Sequence, residues 1–301
     1  MKNVFICYDL VISDAPDFPE QLGTKEKYWF HIDNQEYLFK IGRPGTGENW
    51  AEKIAAELAG LLGLPHAEYN FASWKGRKGV LSPQMVPEGG RLVHGNELLA
   101  AVHKDYPKQK DGRVSDHTLK RIVALLRSQT IGFPPGWSPP NPAIKTAFHL
   151  FLGYLLLDVW ISNQDRHHEN WGIIRTHELL YLAPTYDHAA SMGQNETDET
   201  RHDRLTSKDQ GRQISNYIKR ARSAIFETNR SKKPMLTLEL FQKAIAYEPE
   251  IGQIWLDQLR QITENSCQDL FDRLPPSEAS ILARQFALEL LICNRQRLLE
   301  E

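Results

Sequence analysis

Between Tyr28 and Ile41 the chain reads YWFHIDNQEYLFKI, a run of aromatic and β-branched residues broken once, at Asp33-Asn34-Gln35. That pattern predicts a β-hairpin. In its second strand Tyr37, Phe39 and Ile41 face one way, and Glu36, Leu38 and Lys40 the other. After Gly42-Arg43-Pro44-Gly45 the period changes. Ile54, Leu58, Leu61 and Leu62 fall at helical spacing, which predicts a helix over Asn49–Leu62 with Gly63 as its stop. A further strand is expected at Gly79–Val86. From about Ser115 the pattern turns helical, with helices expected at Ser115–Thr130, Ile144–Ser162, Thr237–Tyr247, Ile251–Glu264 and Ser277–Leu299. The proline-rich stretch FPPGWSPPNP between the first two excludes helix and predicts a rigid surface loop. A small sheet-plus-helix unit therefore precedes a larger helical one, with a boundary in Val86–Asn96 at the pair Gly89-Gly90. Two lobes joined by a hinge commonly hold a ligand between them.

Composition narrows the class. The chain has 301 residues, 41% of them apolar and 25% charged, enough to bury a core without covalent staples. A net charge of −2 offers no global case for binding nucleic acid or an anionic membrane. Cys7, Cys267 and Cys293 lie far apart without CxxC spacing, which argues against a disulfide framework and fits a reducing cytoplasm. The N-terminal stretch MKNVFICYDLVISDAP is a poor signal peptide and reads as a strand or edge element. The most apolar run, Ala147–Ile161, contains Asp158 and falls short of the roughly 20 residues a membrane span needs. It reads as a buried helix.

Candidate chemistry concentrates in two stretches of the helical unit. In the first, Ile161–Ile174, polar residues crowd between apolar segments, and Asp165 and Asn170 stand five apart. In the second, LAPTYDHAA, Asp187 follows a short apolar strand at Leu179–Leu182. Two carboxylates and a carboxamide are hard oxygen ligands, suited to Mg²⁺ shared with phosphate rather than to zinc. Lys40, at the end of a strand, is followed by a helix carrying Glu52. A lysine held by a glutamate can bind phosphate oxygens, as phosphoryl transfer requires. The turn Gln21–Lys27, with Gly23 and Thr24, could lay backbone N–H groups over phosphates.

Strand lysine, helix glutamate, D-R-H-x-x-N and an aspartate after L-x-P-x-Y, in that order, resemble the HipA-like serine/threonine protein kinases. SNQDRHHEN and LAPTYDHA carry the resemblance most specifically, and it extends over roughly Gly23–Leu299. It implies an α+β, bilobal protein-kinase-like fold, with a small β-rich N-lobe containing one helix (residues 1–88) and a larger, mainly helical C-lobe (89–301). It also implies ATP with Mg²⁺ as cofactors, transfer to serine or threonine hydroxyls of a protein substrate, an antitoxin partner, and a toxin or effector role in the cytoplasm. The basic stretch after Asp187, residues 201–233, points to a tRNA- or translation-associated substrate. On the resemblance, Lys40 is the phosphate-binding lysine, Glu52 its partner, and Asp165 the catalytic aspartate. Asn170 and Asp187 are metal ligands, and Gln84-Met85-Val86 is the hinge receiving adenine. Family members carry an additional N-terminal subdomain, so this chain resembles a shortened, core-kinase form. The family's regulatory serine in the phosphate loop is unmatched, Thr24 being the only hydroxyl in Gln21–Lys27.

Other readings remain open at this point. Asp165 and Asn170 could cap helices and satisfy loop amides, and Lys40 alone could be a solvated strand-end lysine. Glu57 is an alternative partner for Lys40. Adjacent His167 and His168 point apart in most backbones and lack further ligands at zinc spacing. A phosphoinositide-type lipid kinase, a catalytically inactive kinase-fold interaction module and a metal-dependent hydrolase are the rival functions. Residues 201–233 hold ten Lys and Arg against three acidic residues. They read either as a recruiting surface for an acidic or nucleic-acid-associated substrate or as a solvated charged face.

Overall fold

The computed structural model describes residues 3–10, 26–107 and 114–300. The first unit is a five-stranded sheet ordered β1-β4-β5-β3-β2, from β1 (Cys7–Leu10), β2 (Lys27–Ile32), β3 (Gln35–Ile41), β4 (Asn70–Trp74) and β5 (Arg77–Pro83). The expected hairpin is β2–β3. Asp33 and Asn34 form its two-residue turn with φ of 50° and 64°, the left-handed conformation that Asp and Asn tolerate better than other non-glycine residues. The N-terminal segment supplies an edge strand, β1, parallel to β4.

Register decides where Lys40 points. It pairs with Val80, which pairs in turn with Phe71, so the three share the sheet face on which α1 (Glu48–Leu61) lies. Phe71 and Val80 join α1 in the main core, whereas Phe39, Ile41, Ala72 and Leu81 form a separate cluster on the opposite face. Both sides of β3 are therefore buried at its end, and Lys40 is only 7% exposed.

A second, three-stranded antiparallel sheet, β6-β7-β8, comprises β6 (Arg91–His94), β7 (Gly172–Arg175) and β8 (Leu180–Leu182). Around it stand α2 (Gly95–Val102), α3 (Leu119–Leu126), α4 (Ala147–Trp160), α5 (Asp198–Thr206), α6 (Ile214–Tyr217), α7 (Thr237–Ile245), α8 (Pro249–Gln261), α9 (Glu264–Asp272) and α10 (Ile281–Glu300). The apolar run is α4. It is buried along all but one of its residues and starts at Thr146, whose Oγ1 accepts from His149 N. Among the described residues, no helix is long and apolar enough to cross a membrane.

Several boundaries differ from expectation. The helix expected from Ser115 begins at Leu119, because Thr118 caps it, accepting from Arg121 N. The helix expected at Ile251–Glu264 is α8, which ends at Gln261, and Thr263 caps a further helix, α9, that was not expected. The strand expected at Gly79–Val86 is β5, shifted to Arg77–Pro83.

Candidate active site

Lys40 is fixed by what surrounds its ammonium. Nζ lies 3.5 Å from Asp187 Oδ1 and donates to the Tyr69 hydroxyl at 3.4 Å. Burial opposes its charge, but Asp187, Tyr69 and Glu52 outweigh burial and raise its pKa well above the ordinary lysine range. Asp187 N donates to the same Tyr69 oxygen (3.3 Å), so one hydroxyl, on the residue before β4, braces both partners of the ion pair. Glu52, 1% exposed, takes a hydrogen bond on Oε1 from His188 N at 2.8 Å. It thereby ties α1 to the residue after Asp187 and acts on Lys40 at longer range than Asp187 does. Glu57 pairs with Lys53 and approaches Arg273 instead; five residues along a helix turn through about 140°, which takes it away from Lys40. Glu52, Lys40, Gly42, Asn49 and Ala189 line one small recess.

The loop after α4 is organised by an arginine buried without exposure. Arg166 Nε and Nη2 donate to the two Asp158 oxygens at 2.8 and 2.7 Å. Nη1 donates to Asn170 O at 2.7 Å, and Nη2 also reaches Thr185 Oγ1 (3.2 Å) and His188 Nε2 (3.0 Å). Burial alone would favour loss of the guanidinium charge; Asp158 reverses this and raises the pKa. Because guanidinium only donates, His188 Nε2 must accept, which places that ring's proton on Nδ1. Burial and the Arg166 charge hold His188 well below its usual pKa, hence neutral.

With the loop pinned from beneath, its upper face carries the polar residues. Asn170 Nδ2 donates to Asp165 O at 2.7 Å, which spends the amide nitrogen inward and leaves the carboxamide oxygen as the ligating end. The Asp165 side chain is 41% exposed, with His167 Nε2 at 3.8 Å from Oδ2. Asp187 adopts φ 60°, a left-handed turn that sets its carboxylate against Lys40. A lysine, two partly exposed carboxylates and a carboxamide thus stand between the two sheets.

No family model and no curated protein matches the chain by sequence. Solved structures do match by shape. The Helicobacter pylori proinflammatory kinase CtkA aligns with a TM-score of 0.73 at 17% identity, covering 98% of this chain and 99% of that one. HipA from Shewanella oneidensis, in a toxin–antitoxin complex with HipB and operator DNA, aligns with a TM-score of 0.58 at 13% identity. That alignment covers 93% of this chain and 64% of that one, so the chain spans under two thirds of HipA's length. The protein has the bilobal fold of the HipA-like kinases.

Within the HipA-like fold, the loop is held from behind by a second, aromatic layer. His117, fully buried, donates from Nδ1 to Ala224 O (3.1 Å) and accepts on Nε2 from Trp171 Nε1 (3.0 Å); its ring stacks on Trp171 with an interplanar angle of 12°. His168 Nδ1 meets the Tyr106 hydroxyl at 2.7 Å. Asn96 N donates to His168 O at 3.0 Å, and Gly95 N to Trp171 O at 2.9 Å, so the first turn of α2 satisfies loop carbonyls. Glycine is required there, since a Cβ on Gly95 would stand 2.4 Å from the Trp171 ring and 2.7 Å from His168 O. Gly95→Ala should therefore lower thermal stability by about 1–3 kcal/mol and reduce activity; a melting curve beside the transfer rate checks both.

Burial, then the neighbouring His168, holds the His117 pKa down to about 3. In the unfolded chain it titrates near 6.5. Between these values the unfolded state binds a proton that the folded state refuses, so stability falls as pH drops below 6.5. By pH 5 His117 alone should cost about 2 kcal/mol. Urea midpoints at pH 7 and 5 should show a smaller loss in His117→Gln than in wild type; equal losses would contradict it.

Lys40, Asp187 and Glu52 come together through Tyr69 and His188 N, and Asp165 and Asn170 are joined to each other in the loop that Arg166 ties to His188. Gln84, Met85 and Val86 form the half-buried connection leaving β5, where Gln84 N donates to Glu36 O (2.8 Å) and Val86 N to Gln84 Oε1 (3.2 Å). Gly23 and Thr24 lie outside the described residues. Tyr69, Arg166, Asp158, His188 and His117 were not singled out from sequence as site residues. Arg166 had a signal in its place inside D-R-H-x-x-N; Tyr69, in the connection before β4, had none. The rings of His167 and His168 stand at 88° to each other and serve different neighbours. Among the described residues, no three His, Cys, Asp or Glu side chains cluster at metal-ligand distance.

Proposed function

We propose that this chain transfers the γ-phosphoryl group of ATP, with Mg²⁺, to a serine or threonine hydroxyl of a protein substrate. The observation that carries this reading is the approach of Lys40 to Asp187 at 3.5 Å, with Arg166 tying Asn170 to His188, the residue after Asp187. Asp187 and Asn170 are the residues that would hold Mg²⁺. Both offer hard oxygen, and two protein ligands suffice where phosphate and water complete the shell. The ion, when bound, neutralises charge on the phosphates.

The chain's own residues account for the remaining steps. Lys40, kept charged by its surroundings, binds phosphate oxygens, and Glu52 holds α1 in the position that keeps Lys40 there. Asp165, the most exposed of the set, orients the acceptor hydroxyl and accepts its proton as the O–P bond forms. Backbone groups of Gln84-Met85-Val86 receive adenine, and Gly23 and Thr24, outside the described residues, are assigned to phosphate binding by the same reading. The lobes divide at residues 88 and 89. A cytoplasmic setting and an antitoxin partner follow from the same reading, the latter by analogy with the HipA–HipB complex.

The test incubates wild type and Asp187→Asn with γ-labelled ATP and Mg²⁺, followed by mass spectrometry of the products. Label on serine or threonine in wild type only supports the proposal. Transfer to lipid vesicles but not to protein would replace it with lipid kinase chemistry. Neither label nor calorimetric ATP binding would overturn it.

A further inference from the structure

Residues 221–237 fold back on themselves next to the catalytic loop. Ser223 N donates to Met235 O, Met235 N to Ile225 O and Thr237 N to Ala221 O, at 2.9–3.0 Å, with an antiparallel bridge between Arg222 and Leu236. The tip is ordered by its own hydroxyls: Thr228 N donates to Ser231 Oγ (3.2 Å) and Arg230 N to Thr228 Oγ1 (3.3 Å). The base is pinned to the catalytic loop. Phe226 N donates to His117 O (2.8 Å), and the His117 ring bridges Ala224 O to Trp171, the residue after Asn170.

This hairpin and the short turn leading into it carry cations that the fold does not use. Lys219, Arg220, Arg230, Lys232 and Lys233 are exposed, and among the described residues none has a carboxylate within ion-pair distance. Glu227, the one acidic residue in the stretch, is taken by Lys243. Other basic residues upstream are structural by contrast: Arg201 binds Asp198, Arg204 binds Glu196 and Arg212 binds Asp203. Lys208 is exposed upstream as well, so among the described residues of 201–233 five of the six exposed cations without a carboxylate lie on the hairpin and the turn leading into it.

We infer that this hairpin is the docking surface for an acidic peptide segment of the phosphoryl-acceptor protein, an inference that rests on the kinase reading above. Charge selects the partner, since five uncompensated cations attract carboxylates and steer their approach. An RNA partner is disfavoured because single-stranded nucleic acid wants aromatic platforms among the cations. Of the aromatic residues in 207–233, Phe226 is buried and Tyr217 is packed between Arg204 and Phe286. Seven residues from Phe226 to Lys233 reach at most about 25 Å, so a peptide of about ten residues can span from the tip to the base of the hairpin, where Phe226 N meets His117 beside Trp171.

The experiment uses the full chain and two fluorescent peptides, a serine flanked by glutamates and the same peptide with glutamines. Binding is read by anisotropy at low and high salt, for wild type and for Arg230→Ala/Lys232→Ala/Lys233→Ala. Wild type should bind the glutamate peptide about 10-fold tighter than the glutamine one, and the triple variant should lose about that preference. Its calorimetric ATP affinity should be unchanged. Equal binding of the two peptides, an unaffected triple variant, or tighter binding of a single-stranded RNA oligomer would overturn the inference. Peptide preference without ATP binding would overturn the kinase reading while leaving the docking surface in place.

Discussion

Asp187→Asn is expected to lower phosphoryl transfer at least ~10²-fold, the scale of losing one well-placed electrostatic group. Asparagine makes the substitution clean. Asp187 sits at φ 60°, where asparagine is tolerated and alanine would add strain. The hydrogen bond to Tyr69 comes from the backbone N–H and survives the exchange. What changes is charge: Lys40 loses the carboxylate at 3.5 Å, and the cleft loses its strongest candidate ligand for a hard cation. Initial rates with labelled ATP, beside an unchanged circular-dichroism spectrum at the assay temperature, isolate that effect. Rates within a few-fold of wild type would remove Asp187 from the machinery.

The second large effect lies one layer deeper, at Asp158. Asp158→Ala should destabilise the protein by about 3–5 kcal/mol, because it leaves the Arg166 guanidinium buried and uncompensated. Arg166 is fully inaccessible, and Asp158 receives two of its hydrogen bonds and one from Asn163 Nδ2 at 2.8 Å. Losing the carboxylate should also free Asn170 and His188, which the same guanidinium touches, so activity should fall with stability. A drop of roughly 5–10 °C in melting temperature is expected for a chain of this size. The double variant Asp158→Ala/Arg166→Met should be less destabilised than Asp158→Ala alone, since it removes the stranded charge. A double variant as unstable as the sum of both singles would contradict this account.

How far the sequence carried this picture depends on the range of the contact. The β2–β3 hairpin and α1 were legible because periodicity and turn residues are local. The same holds for α4, whose fifteen-residue apolar run can only be buried. α9 was not legible, because it is short and its few buried positions, Cys267, Leu270 and Phe271, make no long periodic run. β4, β6 and α2 were also missed. They are short, and their burial is decided by partners such as β1, β7 and the catalytic loop rather than by their own pattern.

By itself, then, the sequence determined the order of the chemistry: a strand-end lysine, a helix glutamate, the D-R-H-x-x-N loop and an aspartate after a short strand. It also placed excess positive charge in residues 201–233. Only the tertiary structure chose among the options that order left open. It turned Glu52 rather than Glu57 toward Lys40 and brought Lys40 to Asp187 across 147 residues of chain. It set Tyr69 beneath both, made Arg166 the support of the D-R-H-x-x-N loop, and sorted the paired from the unpaired cations. Each of those outcomes is a contact between groups distant in sequence. Its free energy depends on distance, burial and the neighbours' charges, none of which a local pattern contains.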